Sequence, residues 1–145
     1  MATLDKAIII AAKVHQNQTD RYGKHYILHP IRVMMSVESE KEKIVAILHD
    51  VIEDSDWTLE MLRTEGFSKD IINAIDCLTK RNGENYMDYI NRTKANNIAR
   101  KVKIADLEDN MNLKRITNLN DKDSQRIMKY HRAWEYLKGI DEHTR

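Results

Sequence analysis

The chain has 145 residues, 41% of them hydrophobic and 32% charged, and its 24 basic and 23 acidic groups leave a formal net charge of +1. Domains commonly run to about 100–150 residues, so the length predicts one domain over residues 1–145 and leaves no room for a second catalytic one. The near-neutral balance argues for no DNA or RNA partner, no stretch approaches the ~18 apolar residues of a membrane span, and the single cysteine, Cys77, excludes an internal disulfide and fits a reducing, cytoplasmic setting. Residues 7–12 form an apolar run too short, and too closely flanked by Asp5, Lys6 and Lys13, for a signal peptide.

Ala7, Ile10, Ala11 and Val14 recur at helical spacing and predict a first helix over residues 4–14. The polar stretch 16–24, with Gly23, reads as a loop. Pro30 fits a first-turn position of a second helix that continues through Ile31, Val33, Met34 and Val37 to about residue 38. Ser39 and Glu42 have capping-box spacing before Ile44, Val45, Ile47 and Leu48. Thr58 caps a short helix over 59–65 that Gly66 ends, and Ser68 opens another over 70–78 that contains Cys77 as a small core residue. After the Asn82-Gly83 break, Tyr86, Tyr89 and Ile90 form the next helical stripe. A long helix over 98–111 and a last one over 123–138, with Ile127, Tyr130, Trp134 and Leu137 facing inward, complete the chain. No window alternates as a strand does, so the expected fold is all-α, a bundle of about seven or eight helices. The tail 139–145 is expected to fray.

The chemistry concentrates in His49-Asp50-Val51-Ile52-Glu53-Asp54. On a continuous helix His49 stacks over Glu53 and Asp50 over Asp54. Desolvated carboxylates are costly unless paired or bound to a cation, and the helix macrodipole disfavours them at a C-terminus. The plainer reading is a helix end reaching solvent. His29, before Pro30, is expected to project from a helix start, and Asp106 sits in an apolar helix with Asn110 one turn on. Paired with Lys103 or an arginine, Asp106 has an ordinary structural explanation. Together, His29, His49, Asp50 and Asp106 form a thiolate-free set of two histidines and two carboxylates, which suits Mn²⁺, Fe²⁺, Zn²⁺ or Mg²⁺. Glu53 and Asp54 stand where they can orient or deprotonate a water.

These residues resemble the HD-domain metal-dependent phosphohydrolases, and within them the hydrolase domains of the RelA/SpoT alarmone enzymes and their small single-domain relatives. The resemblance is carried by His29-Pro30, by His49-Asp50 with Glu53-Asp54, and by Ala105-Asp106 with Asn110-Met111, in that order along most of the chain. It implies an HD helical fold and Mn²⁺ at His29, His49, Asp50 and Asp106. It also implies water activation by Glu53 and Asp54, contact of Asn110 with the nucleotide sugar, and removal of pyrophosphate from the 3′ position of (p)ppGpp. At this length it implies hydrolysis without synthesis. The loop departs from the family pattern: Asp20-Arg21-Tyr22 stands where that pattern has Arg-Lys-Ser, His25 replaces Pro, and Asp109 replaces His. Arg21, Lys24 and Lys103, with Lys80 and Arg81, are candidate substrate contacts, each also readable as a surface cation. His15 and Trp57 are set apart, the first as a loop hydrogen-bonding residue and the second as a candidate cleft wall. Tyr86, Tyr89 and Trp134 read as core, and His131 and His143 as surface.

Three functions follow from this reading. The first is a (p)ppGpp 3′-pyrophosphohydrolase using a divalent metal, Mn²⁺ by the resemblance. The second keeps the site and acts on another nucleotide or a phosphorylated dinucleotide cofactor. The third is a non-catalytic nucleotide-sensing module, which has no reason to keep every ligand and both Glu53 and Asp54. The expected partner is a nucleotide, and self-association is left open.

Overall fold

Helix α3 (Glu40–Leu48) is the axis on which the rest is built. Its Ile44, Val45, Ala46, Ile47 and Leu48 are all buried, so its second half is apolar all round and must be surrounded. It is enclosed by α1 (Leu4–Val14), α2 (Leu28–Met35), α6 (Lys69–Leu78) and α8 (Asn97–Asn110) in a computed structural model that describes residues 1–140. The short α4 (Val51–Asp54) and α5 (Leu59–Thr64) close one side of this aliphatic core. A second, smaller cluster joins α7 (Tyr86–Lys94), α8 and α9 (Asp121–Lys138) through Tyr89, Ile90, Leu107, Ala133 and Leu137. The described residues thus form nine α-helices and one 3₁₀ turn, Leu113–Arg115, with no strand beyond an isolated bridge between Thr19 and His25. None of these helices is long and apolar enough to cross a membrane.

The caps follow the sequence signals. Ser39, Thr58 and Ser68 accept from the backbone N–H groups of Glu42, Met61 and Ile71, satisfying donors that a helix start leaves unpaired. The Glu42 carboxylate reaches back to accept the Glu38 N–H at 3.3 Å. Asn120 and Asp123 form a reciprocal capping box that starts α9 two residues earlier than the periodicity indicates.

Three expectations are corrected. Helix α2 ends at Met35, not near residue 38. The helix carrying His49 is not continuous: α3 stops at Leu48, Asp50 has φ −105° and ψ 0°, and α4 restarts at Val51, which accounts for the extra helical segment. The tail is ordered at its start, because Gly139 takes the left-handed conformation (φ +77°) and the Ile140 N–H donates to the Glu135 carbonyl at 2.9 Å. The remaining tail, with His143, lies outside the described residues.

Candidate active site

The break after Leu48 has a local cause and a functional result. The His49 Nδ1 lies 2.6 Å from the Ala46 carbonyl oxygen, and a carbonyl only accepts, so Nδ1 carries the proton. The Nε2 lone pair is thereby aimed inward. It lies 3.1 Å from Asp50 Oδ2 and 3.5 Å from Asp106 Oδ1, yet it is buried and makes no hydrogen bond. His29 repeats the arrangement from α2. Its Nδ1 lies 2.6 Å from Asp109 Oδ2 and its Nε2 2.8 Å from Asp106 Oδ1, so each ring nitrogen faces a carboxylate. Contrary to the expected projection from a helix start, the His29 ring is buried, with 4% of its surface exposed.

Two imidazole Nε2 atoms therefore converge on two carboxylates. Ligand atoms of His29, His49 and Asp50 lie within 4.8 Å of one another, and Asp106 adjoins both histidines. Burial depresses both imidazoles, but Asp106 and Asp109 beside His29, and Asp50 and Asp106 beside His49, reverse this and raise both above their ordinary value. Asp50 and Asp106 are held below the usual carboxylate range despite burial, Asp50 by His49, and Asp106 by Lys103 and the two histidines. A lone pair facing carboxylates is repelled unless a proton or a cation sits between them. This donor set fits a divalent cation: nitrogen and oxygen ligands, no thiolate, and a buried Nε2 with no other partner.

Surrounding groups fix the carboxylates. Tyr26 Oη donates to Asp50 Oδ2, and burial together with the Asp50 charge keeps that phenol protonated. Lys103 Nζ donates to Asp106 Oδ2 at 2.9 Å, and Asn110 Nδ2 to Asp106 Oδ1 at 3.1 Å. Glu53 accepts the Lys80 N–H at 2.8 Å, and its carboxyl is raised by burial and by the Asp50 charge, against the lowering effect of that bond. Asp54 turns away from Glu53. It accepts from Gln18 Nε2 at 3.1 Å, and Gln18 in turn bonds His15 Nδ1 at 2.8 Å, so His15 does bond the loop.

A cleft of about 600 Å³ opens from this cluster, a size suited to a nucleotide. Its walls include the sequence candidates His29, Asp50, Glu53, Asp106, Asn110, Arg21, Lys80 and Lys103. Lys24 is exposed on the hairpin outside the cleft lining, where Asp20 Oδ1 accepts the Tyr22 and Lys24 N–H groups and turns the loop. Arg81 pairs with Asp76 at 4.0 Å, and Trp57 lines a separate shallow hollow with Lys6 and Ile10. Tyr86, read as core, lines the cleft, while Tyr89 is core and donates to the Leu78 carbonyl.

The sequence reading missed the far wall, where α9 supplies Arg126, Lys129 and Tyr130, and the turn after α8 supplies Arg115. Lys129 stands over the Tyr86 ring at 4.1 Å, and burial plus the charges of Lys80 and Lys103 lower its pKa. The spacing of Arg126, Lys129 and Tyr130 on one helix face was the available signal. It is shared by many solvated helices.

No family model matches the chain. A GTP pyrophosphokinase of Myxococcus xanthus is 37% identical over 81 residues, covering 53% of this chain and 11% of that protein. A guanosine-3′,5′-bis(diphosphate) 3′-pyrophosphohydrolase of Aquifex aeolicus is 28% identical over 120 residues, covering 74% and 17%. The solved structure of a metazoan ortholog of SpoT that hydrolyzes ppGpp superposes with a TM-score of 0.76 at 21% identity, covering 98% of this chain and 89% of that one. In sequence and fold the chain is RelA/SpoT hydrolase-like. It spans only 11% and 17% of the length of the two bacterial relatives. The fold likeness extends across nearly the whole of this chain, whereas the first of the sequence matches covers about half of it.

Proposed function

We propose that this single HD domain is a metal-dependent nucleotide phosphohydrolase, and that its substrate is (p)ppGpp, cleaved at the 3′ position to GDP or GTP and pyrophosphate. The observation that carries the reading is the convergence of the His29 and His49 Nε2 atoms on Asp50 and Asp106, at the end of a cleft lined by several cations. His29, His49, Asp50 and Asp106 would hold the ion, with Mn²⁺ our assignment. A divalent ion there supplies charge neutralisation at the phosphate and acidifies water.

The chain's own residues do the rest. Glu53 faces the cleft with a raised carboxyl, so it is suited to take the proton of the attacking water. Asp54 acts one step back, fixing Gln18 in the cleft wall. Asn110, its amide oriented by Asp106 and Arg115, would meet the sugar, and Arg21 and Lys103 would meet phosphate. Lys80 and Lys129 can receive a second anionic group remote from the bond being broken, which favours a substrate phosphorylated at two places, while Arg126 is paired with Asp123 in the same wall. The Aquifex relative's name and the metazoan structure's described ppGpp hydrolysis support this choice of substrate.

A second reading keeps the site and changes the nucleotide. It is favoured by Asp20, which stands where the resembling enzymes carry a cation and whose carboxylate is occupied by Arg115 at 3.3 Å. Purified chain with Mn²⁺, given a nucleotide panel with products identified, separates the two. Pyrophosphate and GDP from ppGpp are expected. Release of inorganic phosphate alone, or turnover confined to another nucleotide, selects the second reading.

A further inference from the structure

Asp109 makes contacts that neither the cleft nor the proposed ion needs directly. It sits one turn beyond Asp106 on α8, and His29 and Arg32 sit one turn apart on α2. The two pairs interlock. Asp106 meets His29 at Nε2, while Asp109 meets it at Nδ1 at 2.6 Å. Asp109 is itself clamped from two sides. Arg32 Nε donates to its Oδ1 at 2.8 Å and Arg32 Nη2 to its Oδ2 at 3.2 Å, while Arg115 Nη1 donates to Oδ2 at 2.9 Å. Its side chain is only 10% exposed. Arg115 continues the chain of contacts to Asp20 in the hairpin loop.

A carboxylate bound to the outer nitrogen of a metal-ligating histidine fixes the tautomer and ring orientation and raises ligand basicity. Here that nitrogen is His29 Nδ1, and the bond leaves Nε2 as the only ring atom able to ligate. We infer that Asp109 is a positioning residue of the metal centre, holding His29 with its Nε2 aimed at the ion, and that Arg32 and Arg115 hold Asp109 in turn. The inference rests on the metal reading above. The plainer role, an ion pair joining α2 to α8, would affect folding but not ion affinity.

The test is Mn²⁺ binding by isothermal titration to the wild-type chain, Asp109→Asn and His29→Ala, with thermal melts of each metal-free protein. Asp109→Asn is expected to bind Mn²⁺ about ten- to a hundredfold more weakly, and His29→Ala to lose the site. Unchanged affinity in Asp109→Asn, with His29→Ala defective, overturns the positioning role and leaves the metal reading standing. Absence of Mn²⁺ binding by the wild-type chain overturns both. Should Asp109→Asn fail to fold, ¹⁵N spectra of the Zn²⁺-loaded wild-type chain decide the question. The proton of His29 is expected on Nδ1 and the metal on Nε2, and the reverse assignment overturns the inference.

Discussion

The two ends of the cleft are built on opposite plans. At the inner end, His29, His49 and Asp106 are at most 4% exposed, every carboxylate has named partners, and His29 and Asp106 stand on α2 and α8 and His49 directly after α3, helices that share the large aliphatic core. At the outer end, Lys80 and α9's Arg126 and Lys129 border the smaller, aromatic-rich cluster, and Lys129 is steadied by the Tyr86 ring. Ligands to an ion must be placed to fractions of an ångström, and dense packing does that. Groups that receive a diffuse polyanion need charge more than position, so lysines on flexible stems suffice. The chemistry of the molecule is expected at the rigid end and the affinity at the open one.

Variants break or sharpen this division. The largest effect is expected at the inner end: Asp50→Ala or Asp106→Ala should eliminate Mn²⁺ binding in calorimetry and lower turnover by at least about a thousandfold. Removing Asp106 also strands Lys103 beside two imidazoles, so the metal-free protein should lose about 3–5 kcal/mol in a urea titration. Glu53→Gln should keep the ion and lose about 10²–10⁴ in kcat. An unchanged rate would remove Glu53 from the proton transfer.

At the outer end the signature should be the reverse. Lys129→Ala is expected to raise KM about tenfold with kcat within about threefold, the pattern of an interaction equally strong in ground and transition states. A fall in kcat at constant KM would contradict the division.

The smallest effect concerns an ion pair outside the cleft. Glu84 is held down at about 2 by its hydrogen bonds from Arg92 and the Arg81 backbone. An unfolded glutamate titrates near ~4.3, so the pair's stabilisation is whole above that value and is lost as the pH falls through about 2. The difference in urea midpoint between wild type and Glu84→Gln should shrink from pH 6 to pH 2. A constant difference would show that the pair does not act through charge.

Sequence order carries the helices and the inner site well, for physical reasons. Helix periodicity, the Ser39, Thr58 and Ser68 caps and the Gly139 stop are local. Two buried histidines and an aspartate in apolar segments are conspicuous because nothing in a core calls for them. The break at His49-Asp50 was less visible, since it arises from a side-chain-to-carbonyl bond that competes with the helical ladder. Asp109 was hidden by distance, because its partners His29 and Arg32 lie 80 and 77 residues away. Arg126 and Lys129 were hidden by resemblance: before α9 is folded against α8, they are indistinguishable from solvated helix cations.

The most direct measurement is pyrophosphate release from ppGpp by the wild-type chain, first stripped with chelator and then restored with Mn²⁺. Release with one GDP per pyrophosphate, only after Mn²⁺ is returned, is the predicted result. Equal turnover by the stripped protein, or none by the restored protein, would contradict the proposal that these two histidines and two aspartates hold the ion that drives hydrolysis.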